Sequence, residues 1–179
     1  MTKMESMNKL HGFIFICFVF LAACAPSYSV RTTNNEFDGY TRYQSEGNVL
    51  SGGCIYCSRV ELNIVNFKYK DGRELNYLLA EYNSTDWLFL SRDGELKLLV
   101  DGELHNSLPK FDPVSDVLYG GRVYESAMYP ISADFLKTLS QAKEIKIQLY
   151  GRDVYVEREF AEENFSNWKK FVGEYYGGS

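Results

Sequence analysis

The chain has little of what catalysis and metal binding draw on. It carries 2 histidines in 179 residues, and one of them, His11, stands at the start of an N-terminal apolar segment. His105 is therefore the one imidazole of the remaining chain. Imidazole is the side chain that changes charge near neutral pH, so general acid–base work has a single candidate of this type. It follows the Asp101-Gly102 turn, where an exposed loop position is expected. No G-x-S-x-G elbow, P-loop or G-x-G-x-x-G fingerprint occurs, which removes the usual signatures of serine hydrolases and nucleotide-binding enzymes. With 4 cysteines and no second C-x-x-C pair, a four-ligand zinc site has too few ligands. Neither a metal nor a cofactor is expected. Long apolar runs are missing too: Gly12 to Ala23 is twelve residues, short of the roughly 17 to 25 that a membrane-spanning helix needs.

That short run is nonetheless the most specific signal present. Lys3 and Lys9 precede it, and it closes on Leu21-Ala22-Ala23-Cys24, the charged, apolar and small-residue regions of a secretory leader. With a cysteine at the cleavage point, the leader resembles the lipobox of bacterial lipoproteins. The resemblance implies cleavage before Cys24, a diacylglyceryl group on its sulfur and a further acyl chain, such as palmitate, on its new amino group. More than one chain is what stable anchoring requires, at roughly 0.8 kcal/mol per buried methylene. Ala25 in place of aspartate after the cysteine implies sorting to the outer membrane, with the domain facing the periplasm.

Residues 1–23 are thus expected to leave as a signal peptide, 24–51 to form the lipidated N-terminus and tether, and 52–179 to fold as one domain. The tether reading rests on the polar composition of Ala25 to Ser51, with Pro26, Thr32-Thr33-Asn34-Asn35, Gly39 and Gly47, and applies to its first part, Tyr40 and Tyr43 being candidates for the start of the folded part. Loss of Lys3, Lys9 and Glu5 takes the formal charge from −5 to −6. Such acidity argues against nucleic acid or an anionic membrane surface as the electrostatic partner of the chain as a whole, and permits a cationic one. The two cysteines left beside the acylated one, Cys54 and Cys57, admit a local disulfide in an oxidising compartment or a redox pair. They follow Ser51-Gly52-Gly53 and lead into strand-like sequence, a setting that favours the disulfide over a thioredoxin-like motif.

From Arg59 the hydrophobic period is two. Val60, Leu62 and Ile64 lie on one parity, Val65, Phe67 and Tyr69 on the other, which predicts either a bulge or a strand buried on both faces. Asp71-Gly72, Asp93-Gly94 and Asp101-Gly102 suit tight hairpins. Strands are predicted over Arg59 to Tyr69, Glu74 to Tyr82, Trp87 to Arg92, Glu95 to Val100, Gly121 to Tyr129, Ile145 to Leu149 and Val154 to Phe160. Trp87-Leu88-Phe89-Leu90 reads as a central strand covered on both faces, and Pro109 and Pro113 mark a loop. Ser132 suits the cap of a short helix ending near Gln141. Phe165, Trp168, Phe171, Val172 and Tyr175 recur at helical spacing before Gly177-Gly178. The fold class is α+β: a curled, meander-like antiparallel sheet of about seven strands packed on a C-terminal helix, with a small β-barrel carrying a helix as the alternative. The mature part is similar to small uncharacterised proteins of the bacterial envelope, a resemblance that brings no catalytic residues.

Two charges share parity with apolar neighbours: Glu125 with Val123 and Ala127, and Arg158 with Val156 and Phe160. A buried charge needs a partner, and the two are candidates to pair with each other. Glu157 and Glu159, on one strand parity, read as a solvated face. Function divides into two classes. The first is a membrane-anchored, noncatalytic protein-binding or adaptor module, supported by the anchor, the missing catalytic signatures and 14 tyrosines, which combine apolar area with a polar tip. Its specific form is an inhibitor of a cationic wall-degrading enzyme, although Ser51-Gly52-Gly53-Cys54-Ile55-Tyr56 is one residue longer than the S-G-x-x-Y motif of lipoprotein lysozyme inhibitors. The second is an envelope thiol–disulfide oxidoreductase using Cys54 and Cys57.

Overall fold

The structure, a computed structural model, describes residues 28–52 and 58–176. Two long strands set the frame, β3 (Ser58–Tyr69) and β4 (Glu74–Ser84), joined through the Asp71-Gly72 turn and in register from Ser58↔Ser84 to Lys68↔Glu74. Pairing along β3 is continuous, so the change of parity at Ile64-Val65 is not a bulge. Val60, Leu62 and Ile64 enter the main core, whereas Val65 faces the other side with Tyr77 and Leu79. The strand is buried on both faces, and a switch of apolar parity is what that requires.

On one side of this pair lies a hairpin, β1 (Ser29–Asn35) and β2 (Tyr40–Glu46); on the other lie β8 (Val123–Pro130) and the short edge strand β7 (Val114–Val117). Together they form an antiparallel six-stranded sheet in the order β1-β2-β3-β4-β8-β7. A second sheet runs β10-β9-β5-β6, with β5 (Leu96–Val100), β6 (Glu103–Ser107), β9 (Ile145–Tyr150) and β10 (Tyr155–Glu159). The β5–β6 turn has both central residues at positive φ, Asp101 at 48° and Gly102 at 89°, the geometry that lets a two-residue hairpin follow strand twist. Val49 bridges to Glu61 and Ser51 to Glu159, so the stretch after β2 stitches the sheets edge to edge. The α+β class holds, with ten strands among the described residues in place of about seven.

Helices α1 (Ala133–Gln141) and α2 (Glu162–Tyr176) pack into the core that the sheets share. Ser132 caps α1 by accepting from the Phe135 N–H at 3.1 Å, as its position before the apolar stripe predicts. The stripe of α2 is core: Trp168 and Phe171 are fully buried, and Trp168 meets Phe160 edge to face. Leu96, Leu98, Ile145 and Ile147 of the four-stranded sheet join the same cluster as Leu62, Ile64 and Leu78, so one core unites both sheets and both helices.

Several expectations are corrected. Residues 29–46 are not tether: the hairpin β1–β2 is part of the six-stranded sheet, and Tyr28 and Val30 already pack on the core. Polar composition misled because β1 is an edge strand whose outward positions meet solvent. Trp87 to Leu90 is not a strand. Leu88 and Leu90 are buried, but Phe89 sits at φ 58°, and the three N–H groups from Leu88 to Leu90 point to a side chain. The apolar run signalled burial and was silent on backbone pairing. Asp93-Gly94 makes a local turn, Gly94 N–H donating to Ser91 O, and joins no hairpin. The loop holding Pro109 and Pro113 runs into β7, and His105 lies on β6, where pairing with Leu98 makes it part of a sheet.

Candidate interaction face

Register fixes which side chains leave the core. On the six-stranded sheet the outward positions include Arg42, Glu61, Asn63, Glu81 and Tyr124, followed toward the other end by Phe67, Tyr77, Leu79 and Met128. Neither helix contributes to the outward apolar cluster. Instead the loop before β7 crosses it: Lys110 N–H donates to Met128 O at 2.8 Å, and the Phe111 ring lies 5.8 Å from that of Tyr77. Between loop and sheet runs a groove of about 280 Å³ lined by Phe67, Leu79, Phe111, Val114 and Met128. Phe111 and Val114 are half-exposed or more, at 50% and 60%.

The polar end of this face is a connected network. Glu61 and Glu81 stand directly opposite each other on β3 and β4, a placement that like charges disfavour. Donors separate them. Arg59 Nε reaches Glu61 at 2.8 Å, Asn63 Nδ2 reaches Glu81 at 2.7 Å, and Tyr124 OH donates to Glu81 at 2.7 Å. Burial pushes the Tyr124 phenol up to about 12, with the Glu81 carboxylate adding to the shift. Burial likewise lowers the Arg42 guanidinium below its usual range, and Arg42 lies 5.7 Å from the Phe67 ring centre. No outward strand position of this sheet carries lysine. Arginine, tyrosine, phenylalanine and methionine in place of lysine is the composition of protein–protein contact surfaces. Sequence reading missed this face because its members come from five strands and only register places them side by side.

The singled-out residues fall as follows. Cys24, Cys54 and Cys57 lie outside the described residues. Glu125 and Arg158 both point inward, as their parity predicts, with exposures of 1% and 6%. The structure gives them different partners. Glu125 accepts from the N–H groups of Leu88 at 2.7 Å, Phe89 at 3.1 Å and Leu90 at 2.9 Å. Arg158 donates to Glu157 O and to Ser58 O and Oγ. Among the described residues no ion pair joins the two. A carboxylate holding three backbone donors and a guanidinium holding carbonyl groups are satisfied structural ions. His105 is half-buried with its ring 4.3 Å from Phe135, and its Nε2 stands 3.9 Å from Glu103; no nucleophile accompanies it in these contacts. Among the described residues no cluster of three His, Cys, Asp or Glu side chains is placed to hold a metal, and no helix is long and apolar enough to cross a membrane.

No protein-family model matches the chain, and comparison with curated proteins and with solved structures finds no match. The arrangement therefore stands on its own geometry: an antiparallel α+β domain with an outward sheet face of arginine, aromatic and methionine side chains beside a shallow groove.

Proposed function

We propose that the protein is an envelope lipoprotein, acylated at Cys24 and held at the outer membrane facing the periplasm, whose domain is a noncatalytic protein-binding module. The observation that carries this reading is the outward face of the six-stranded sheet, where an arginine and tyrosine network adjoins an aromatic groove with exposed Phe111 and Val114. Buried aromatic and arginine anchors carry most of the energy in protein interfaces. The formal charge of −6 expected after leader removal favours a cationic protein partner, and inhibition of a cationic wall-degrading enzyme is its specific form. The test places a photo-crosslinking side chain at position 111 in intact cells and, as a control, at Leu104, exposed on the four-stranded sheet. A discrete protein adduct at 111, absent at 104 and reduced at least fivefold by Val114→Asp, is the expected result. Equal adducts at both positions overturn the reading.

A second reading, thiol–disulfide exchange by Cys54 and Cys57, rests on their C-x-x-C spacing. Insulin reduction by the purified protein, lost on Cys54→Ser, would establish this second reading in place of the first.

A further inference from the structure

The fold begins almost at the anchor. Tyr28 packs against the core and β1 starts at Ser29, so Ala25, Pro26 and Ser27 are all that separates the folded domain from Cys24. Four peptide steps reach at most about 14 Å even when fully extended. The headgroup layer on each side of a bilayer is about 5 to 8 Å thick. A domain joined this closely to its acyl chains lacks the slack that a 28-residue polar tether would have given it. With Cys24 acylated, this edge of the fold stays within that reach of the lipid surface.

The chemistry around Tyr28 suits that surface. The Lys170 ammonium lies 5.3 Å from the Tyr28 ring centre. Lys169 beside it is exposed, and neither lysine has a carboxylate partner among the described residues. Glu174 lies near enough to act on the Tyr28 phenol, and Arg31 on β1 is paired with Glu46 at 2.7 Å. The patch thus presents the Lys170 ammonium over an aromatic ring, with exposed Lys169 next to it in the chain, in a protein of net negative charge. Long basic side chains with a tyrosine among them match a layer of lipid phosphates above an acyl boundary.

Resting on the lipoprotein reading, we propose that Tyr28, the start of β1 and the Lys169–Lys170 side of α2 dock on the phosphate-bearing headgroup layer of the leaflet that holds the Cys24 acyl chains. β1 and β7 are opposite edges of the six-stranded sheet. Docking through the β1 edge leaves the β7 edge, which carries Val114 of the groove, undocked.

The experiment uses the full lipoprotein in vesicles of phosphatidylethanolamine and phosphatidylglycerol, compared with a variant carrying twenty Gly/Ser residues between Pro26 and Ser27. Such an insert adds an r.m.s. reach of about 25 Å. Both are acetylated with a membrane-impermeant lysine reagent and read by peptide mass spectrometry. Lys169 and Lys170 should react at least threefold more slowly in the native spacing, while Lys110, on the loop before β7, reacts equally in both. Equal rates at Lys169 and Lys170 in an acylated protein overturn the docking and leave the lipoprotein reading standing. An unacylated Cys24 in the same spectra overturns both.

Discussion

Glu125 does with one carboxylate what a neighbouring strand would otherwise do for three residues. Its two oxygens take the N–H groups of Leu88, Phe89 and Leu90, so an apolar stretch enters the interior without a ladder and without orphaned donors. The stretch is tightly seated: a Cβ on Gly151 would fall 1.8 Å from the Leu88 carbonyl oxygen. Removing the acceptor leaves buried donors unsatisfied at roughly 1 to 3 kcal/mol each. Glu125→Ala should therefore lower stability by about 3 kcal/mol or more in urea unfolding, and Glu125→Gln, which keeps one oxygen, by less. Because Arg158 binds Ser58 and Glu157 instead, Glu125→Gln and Arg158→Gln should add to within about 0.5 kcal/mol. A larger coupling would mean that the two ions act as a pair.

At the scale of elements, α2 and the β3–β4–β8 face make separable predictions. Trp168 is completely buried and its indole touches Phe160, so Trp168→Ala should cost roughly 3 to 5 kcal/mol. An unchanged urea midpoint would show that the helix is not held by that side chain. Across the outward face, Tyr124 bonded to Glu81 has its phenol raised from 10.0 to about 12. A folded-state value above the unfolded one gives stability that is intact below pH 10 and lost as pH rises toward about 12, because the unfolded chain releases the proton first. Thermal unfolding measured from pH 9 to 11.5 should show a falling Tm. Tyr124→Phe should make the fall shallower without abolishing it, since burial also raises Tyr28, Tyr129 and Tyr176.

At the scale of the whole molecule, the proposed lipoprotein reading divides the work between anchor and domain. Cys24→Ala should abolish membrane retention in cell fractionation while leaving the unfolding midpoint of the domain unchanged, because the core is built from residues beyond the leader. On the same proposal Cys54 and Cys57 are the thiols left beside Cys24 once residues 1–23 are removed, in an oxidising compartment. Alkylation of the exported protein should therefore label neither before reduction and both after it. Two thiols labelled in the native protein would speak for the exchange reading. His105→Ala should leave partner capture intact, since the ring contacts Phe135 on the inner side of the four-stranded sheet and takes no part in the outward face.

The amino-acid sequence alone determined the α+β class and the core helix α2, and singled out Glu125 and Arg158 as charges sharing parity with apolar neighbours. All of these follow from local period: side chains alternate every two residues in strands and return every 3.6 in helices, so neighbours in the chain announce the buried face. The same logic narrowed the parity switch at Ile64-Val65 to a bulge or a strand buried on both sides, and the continuous pairing of β3 with β4 decided for the second. Tertiary structure alone decided what each buried polar group bonds, because Glu125 lies 35 to 37 residues from its donors and no local pattern encodes that separation. It also decided that polar residues 29–46 are sheet, since an edge strand needs only one paired side and leaves no apolar period to read. The outward face was settled the same way: Glu61 meets Glu81, and Tyr124 bonds Glu81, through the registers of β3, β4 and β8. Register is a property of packed strands, and a slip of one residue would turn those side chains to the opposite face.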